Sequence, residues 1–283
     1  MVAGLIDRPE LAVADGERRV MTVLFCDMKG FTRGSQQMTP QGLVKVMNRY
    51  LTTMSEPIHD HHGIIDKYIG DAIMAYWGPP FTEEASHAQF GCAAALDMIG
   101  RVDALRTSLP ELLGIRQMPV QFDIRIGIAT GEVVVGSIGS PFMMSYTVMG
   151  DTVNLASRLE SLNRFYGTHL LVSEATIATT SDLEVREIDR VIVAGQTSPQ
   201  RIYDVMGYRG QLAPDRTALR DNYANGLAAY RAGQWDDAVK WLTAVLADDP
   251  TDGPSRVMIE RIEALRRSPK ADGWDGVWIF DDK

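Results

Sequence analysis

The sequence predicts an α+β fold followed by a smaller helical extension. Two observations carry that expectation. Over residues 20–210, short continuous apolar runs of strand length alternate with longer stretches of helical periodicity. After Pro214 the strand signals stop, and Ala, Leu and Arg recur at helical spacing.

Residues 20–27 are apolar without alternation, which predicts a strand buried on both faces. Residues 39–62 form a helix, with Thr39 as N-cap, Pro40 in the first turn and Gly63 as the stop. Residues 64–69 and 72–77 form a hairpin with Gly70-Asp71 at its tip. A second helix covers 83–109, and strands follow at 120–129 and 132–137. The third helix, 151–165, places Leu155, Leu159, Leu162 and Tyr166 on one stripe. A strand at 170–172, a short helix from Ser173 and strands near 184–193 and 201–205 complete the unit, with helices covering one face.

In the extension, helices are expected at 216–232, 235–248 and 254–267. Gly226, Tyr230, Gly233, Trp235, Ala238, Leu242 and Asp249-Pro250 have the spacing of one tetratricopeptide-like repeat. A single repeat cannot bury its own apolar face and must dock on something. The tail carries Trp274, Val277, Trp278, Ile279 and Phe280, a density of apolar side chains that also predicts docking. The expected division is a linker over 1–19, a main domain over 20–210 and the extension over 211–283.

The chain has 283 residues, 45% of them hydrophobic, and a net charge of −9. These values suit a globular protein and argue against a nucleic-acid binder, which needs a basic surface. Cys26 and Cys92 are too few for a disulfide framework or zinc cluster and read as reduced core thiols. No apolar run has the ~20 residues of a membrane span, and the N-terminus lacks an apolar signal core, so a cytoplasmic location is expected.

Two aspartates carry the chemistry. Asp27 closes the apolar run and is followed by Met28-Lys29-Gly30-Phe31-Thr32, while Asp71 follows Lys67-Tyr68-Ile69-Gly70. A carboxylate at the end of a buried strand needs a partner, and a shared divalent ion would serve both. Taken singly, Gly70-Asp71 reads as a hairpin turn more readily than as a metal site, and Asp27 also reads as an ordinary strand-end turn residue. The third element is the stretch from Tyr146 through Thr147, Gly150-Asp151 and Asn154 to Arg158. Asn154 and Arg158 lie one helical turn apart on a face offset from the leucine stripe.

Together these three stretches resemble the catalytic domain of the class III nucleotidyl cyclases, over about residues 18–207. The resemblance implies a ferredoxin-like core, an antiparallel-rich sheet with helices on one side. It implies attack of a ribose 3′-oxygen on the α-phosphorus of ATP, with two metals, Mg²⁺ or Mn²⁺, held by Asp27, Asp71 and the backbone carbonyl of Met28. The loop Met28 to Thr32, with Gly30 and Thr32, would place backbone amides on the phosphate oxygens, and Phe31 would shield the site. Asn154 would orient the ribose and Arg158 would stabilise developing charge. Lys67 and Thr147 would read the base; guanylate cyclases carry Glu and Cys there, so the pair favours ATP over GTP. The resemblance also implies a head-to-tail homodimer, one copy giving Asp27 and Asp71, the other Lys67, Thr147, Asn154 and Arg158. In such relatives a sensor or membrane module often precedes the catalytic segment.

One departure stands out. Where the family usually has Val-Lys-Gly-Lys, this chain has Val193-Ala194-Gly195-Gln196. Loss of one phosphate contact costs roughly 1.5–3 kcal/mol. Lys29, Arg33, Arg190 and Arg201 are the candidates to replace it. The departure keeps open a second reading, a nucleotide-binding regulatory module of low turnover, and the tetratricopeptide-like tail a third, a scaffold acting through that tail. His59, His61 and His62 suit a helix C-terminus better than a metal, and Gly127, Gly131, Gly136 and Gly139 read as turns between strands.

Overall fold

Strand β1 (Glu17–Lys29) pairs antiparallel on both sides, with β3 (Ala72–Trp77) and β4 (Asp123–Ser140). The computed structural model describes residues 16–30, 38–116, 122–268 and 274–280. Met21 and Val23 enter one apolar layer, and Leu24, Cys26 and Met28 enter the other. This is the two-residue period of a strand expressed on two buried faces. The apolar run in the sequence is the middle of this longer strand.

Helices α1 (Pro40–Asp60) and α2 (His87–Leu113) cover one face, and α3 (Asp151–Tyr166) covers the other. The expectation of helices on one side is therefore corrected. Both faces of β1 and β4 are apolar, so each needs a covering layer. Thr39 caps α1 as expected, its hydroxyl accepting from the Gly42 N–H at 3.1 Å. Helix α2 starts four residues later than its sequence pattern suggests and ends at Gly114 in the left-handed conformation. Cys26 and Cys92 are free and buried.

Strand β2 (Ile64–Ile69) forms the expected hairpin with β3, and Gly70 takes φ 66° at its tip. The register slips between Ile65 and Lys67, a bulge around Asp66. The strands expected at 120–129 and 132–137 are one continuous strand, β4. Its glycines are not turns. A Cβ at Gly127 would collide with the Glu160 N and the Ala156 O of α3, and one at Gly131 would lie 2.7 Å from Thr152 Oγ1. Glycine here is the condition for helix and sheet to approach closely. Strand β5 (Met143–Met149), which the sequence reading did not assign, returns as a hairpin along β4.

Beyond α3 come β6 (Leu170–Ser173), α4 (Glu174–Ala178), β7 (Leu183–Ile192) and β8 (Gln200–Tyr208). Helices α5 (Pro214–Arg231), α6 (Trp235–Asp248) and α7 (Gly253–Arg267) follow, near the expected bounds. They share the apolar layer of α3, so the extension buries its face against the sheet. Strand β9 (Trp278–Ile279) joins β7 in parallel at the sheet edge. The sheet runs β2-β3-β1-β4-β6-β8-β7-β9, with β5 on β4. Among the described residues no helix is long and apolar enough to cross a membrane.

Gly127→Ala should destabilise the protein by about 3 kcal/mol or more, since the methyl meets helix backbone that cannot rotate away. Urea unfolding measures this, and an unchanged midpoint would refute the close-packing role of Gly127.

Candidate active site

Asp27 lies near the C-terminal end of β1, and Asp71 at the tip of the β2–β3 hairpin. Pairing of β1 with β3 brings the two within hydrogen-bond reach. The Asp71 carboxyl is pushed up to about 6, first by burial and next by the Asp27 charge. Met28 follows on β1 with its side chain buried in the opposite layer, which leaves only its backbone for the site. Gly30 takes φ 89°, the left-handed turn expected where a chain bends away from a strand. Phe31 and Thr32 lie outside the described residues.

Two residues absent from the sequence reading join this cluster. Arg125 on β4 stands opposite Asp27 in register and donates to its Oδ2 at 2.6 Å. Its Nε lies 3.2 Å from Oε1 of Glu160 on α3. Burial, then Asp27, push the Glu160 carboxyl up to about 7, with Arg125 opposing them. The available signal was an arginine inside the otherwise apolar run Ile124-Arg125-Ile126.

A cavity of about 590 Å³ is lined by Asp27, Arg125, Asn154, Arg158, Glu160, Val193 and Ala194. Ala194 thus faces the cleft, as the missing lysine would. Gly195, at φ 72°, lies so close to Arg158 that an added Cβ would be 3.1 Å from its Nη2. Of the four candidate replacements, Arg190 pairs with Asp275 and Arg201 with Glu174 and Glu187, while Lys29 is exposed and Arg33 lies outside the described residues. The cleft's cations are instead Arg125, Arg158 and Arg164.

Lys67 and Thr147 line a second cavity of about 740 Å³, together with Asn154. Within one chain they are therefore apart from Asp27, and Asn154 stands at both cavities. Lys67 Nζ lies 3.1 Å from Asp66, whose side chain is only 1% exposed. The bulge at Asp66 allows neighbouring residues of one strand to meet in this way.

The aspartate pair fits a hard divalent cation, because two facing carboxylates that repel each other are relieved by one. Among the described residues no group of three or more His, Cys, Asp or Glu is arranged to hold a metal. A cation at Asp27 and Asp71 would complete its shell with backbone, water or substrate oxygens, as Mg²⁺ does at phosphate sites. The three histidines are not such a group: His59 is exposed, His61 approaches Asp97 at 3.9 Å, and His62 packs on Phe90.

Residues 14–207 match the family described as adenylate and guanylate cyclase catalytic domain. Adenylate cyclase 1 of Rhizobium meliloti (strain 1021) is 35% identical over 196 residues, 67% of this chain and 28% of that protein. The adenylate cyclase of Anabaena cylindrica is 36% identical over 199 residues, 69% of this chain and 38% of that protein. The chain therefore spans well under half the length of these curated relatives. Among solved structures, the adenylyl cyclase CyaB from P. aeruginosa superposes with a TM-score of 0.63 at 33% identity, covering 70% of this chain and 100% of that one. The guanylyl cyclase Cya2 superposes at 0.60, also with 33% identity, covering 69% of this chain and 96% of that one. The matched segment holds every strand and helix that supplies Asp27, Asp71, Asn154 and Arg158, and on that ground the chain belongs to the adenylate and guanylate cyclase catalytic domain family.

Proposed function

We propose that this chain is an adenylate cyclase, converting ATP to 3′,5′-cyclic AMP and pyrophosphate at a site shared by two copies. The observation that carries the reading is the facing Asp27–Asp71 pair at the first cavity, with Lys67, Thr147 and Asn154 gathered at a second cavity that Asp27 does not line. In this reading residues 20–210 are the catalytic unit, 1–19 a linker and 211–283 an extension.

Asn154, one turn before Arg158 on α3, orients the ribose so that its 3′-oxygen faces the α-phosphorus. Arg158 meets the negative charge that grows on the phosphoryl oxygens, where a planar guanidinium can donate twice. Arg125, already beside Asp27, adds positive charge at the triphosphate end. Two divalent ions, Mg²⁺ or Mn²⁺, held by Asp27, Asp71 and the Met28 carbonyl, would supply the charge that acidifies the 3′-hydroxyl and offsets the leaving pyrophosphate. The backbone of the loop that holds Gly30 and Thr32 meets the phosphates, and Phe31 shields the site. Lys67 and Thr147, in one cavity, read the adenine edge by donating and accepting hydrogen bonds.

Separation of the base-reading pair from Asp27 within one chain supports a site completed by a second copy. So does the apolar surface beside the second cavity, where Ile69, Phe142, Met143, Met144 and Met149 are exposed. A second reading, a nucleotide-binding module of low turnover, is favoured by Ala194 in the cleft wall.

Asp27→Ala and Asp71→Ala should each abolish cyclic AMP formation with the fold retained, as read by product assay and circular dichroism. Full activity of either variant at ordinary Mg²⁺ refutes the metal assignment. Mixing the inactive Asp27→Ala and Arg158→Ala proteins should restore activity, because each mixed dimer holds one intact site. Absence of recovery after demonstrated subunit exchange would mean that each chain works alone. Ala194→Lys should raise kcat/KM for ATP by about tenfold, the scale of one charge-assisted contact. A gain in kcat marks a contact made in the transition state, and no gain would show that Arg125 and Arg164 already fill that need.

A further inference from the structure

The cleft has one wall that comes from outside the family match, which ends at residue 207. Phe280 lines the first cavity beside Arg158, Arg164, Val193 and Ala194. Its N–H donates to the Ile192 carbonyl at 2.9 Å, continuing the pairing of β9 with β7. Its ring packs edge-on against Phe165, with centroids 4.9 Å apart, and reaches Tyr166 at 6.2 Å. Those two residues are the last turn of α3, the helix that carries Asn154 and Arg158.

The position of this strand is set by buried groups. Two residues before Phe280, the Trp278 ring receives the Arg261 guanidinium 4.1 Å from its centroid. Arg261 pairs with Asp189 at 2.5 Å, both side chains being almost wholly buried. Tyr166 donates to the same Asp189 at 2.6 Å. Helix α7, strand β7, the end of α3 and the tail strand therefore meet in one network. Gly253, which opens α7, is pressed against the Tyr166 carbonyl so closely that no side chain fits there.

An apolar ring at the rim of a charged cleft displaces water, and charges in a drier site act on one another more strongly. We propose that Phe280 is a positioning residue of the active site: it closes the triphosphate end of the cleft beside Ala194 and holds the last turn of the helix bearing Arg158. This rests on the cyclase reading of that cleft. It gives the extension a role in substrate binding, with Phe280 and Arg158 linked through the end of α3.

The test uses the full chain carrying Phe280→Ala, Phe280→Leu or Ile279→Ala, the last at a half-exposed neighbour outside the cleft. Calorimetric titrations with inorganic tripolyphosphate in Mg²⁺ and with adenosine are set beside ATP kinetics. Phe280→Ala should weaken tripolyphosphate binding and raise KM for ATP, each by about tenfold, through loss of the dry wall. Adenosine affinity should stay within about twofold, since the base cavity is elsewhere. Phe280→Leu should recover most of the loss, and Ile279→Ala should match the unaltered chain. Unchanged or tighter tripolyphosphate binding in Phe280→Ala overturns the proposal, the latter because the ring would then be a plug. Equal loss of adenosine and tripolyphosphate also overturns it, since that is general loosening. Unaltered protein that binds no tripolyphosphate overturns it too. Phe280-dependent tripolyphosphate binding without turnover of ATP leaves it standing and defeats the cyclase reading alone.

Discussion

Everything at the site depends on how closely α3 lies on β4. Backbone meets backbone at Gly127, and Thr152 sits over Gly131 while its hydroxyl donates to the Glu132 carbonyl at 2.8 Å. The first contact fixes the middle of the helix, and the second fixes its start. Leu155, Ala156, Leu159 and Leu162 then fill the layer beneath. With that stripe buried, Asn154 and Arg158 can only emerge at its edge, toward the cleft. The helix is thus positioned by missing side chains as much as by present ones. Larger residues on β4 would lift it and move Arg158 with it.

The cleft's electrostatics follow from this approach. Bringing α3 down on β4 places Glu160 beside Arg125, which already neutralises Asp27. One arginine then serves Asp27 and Glu160, with Asp71 close by, so the cluster has more carboxylates than cations. Burial raises Asp71 and Glu160 first, and the Asp27 charge beside them adds to it. A cationic ligand would relieve that repulsion directly, which supports the proposal that Asp27 and Asp71 hold divalent ions. Arg158 and Arg164 line the same cavity as Ala194 and Phe280, and in the proposed reading supply its positive charge for phosphate.

The helical extension is joined to the sheet by buried ions as well as by apolar packing. Arg186 bridges Asp204 and Asp252 at 3.0 and 2.7 Å, with its guanidinium over the Tyr223 ring, and Arg261 meets Asp189 deeper in the layer. Buried pairs contribute little net stability because desolvation offsets their attraction. Their geometric demands are strict, however, and a displaced extension would leave a charge unpaired. They therefore hold α7 and the tail strand in one register. That register brings Phe280 to the rim of the cleft.

Much of this protein was legible in its sequence. The central strand, the capped first helix, the hairpin carrying Asp71 and the helix carrying Asn154 and Arg158 followed from local rules: apolar runs, Thr39-Pro40, Gly70 and the leucine spacing. The resemblance carried the remaining assignment of chemistry. Glycines were misread, because a residue without a side chain looks the same in sequence at a turn and under a helix. Gly127 and Gly131 have the second role, which depends on a partner roughly twenty to thirty residues away. Covering of both sheet faces, the Arg125–Glu160 contact and the arrival of Phe280 at the cleft belong to the tertiary structure alone. Each joins segments whose separation along the chain carries no local signal; only packing of the finished layers brings them into reach.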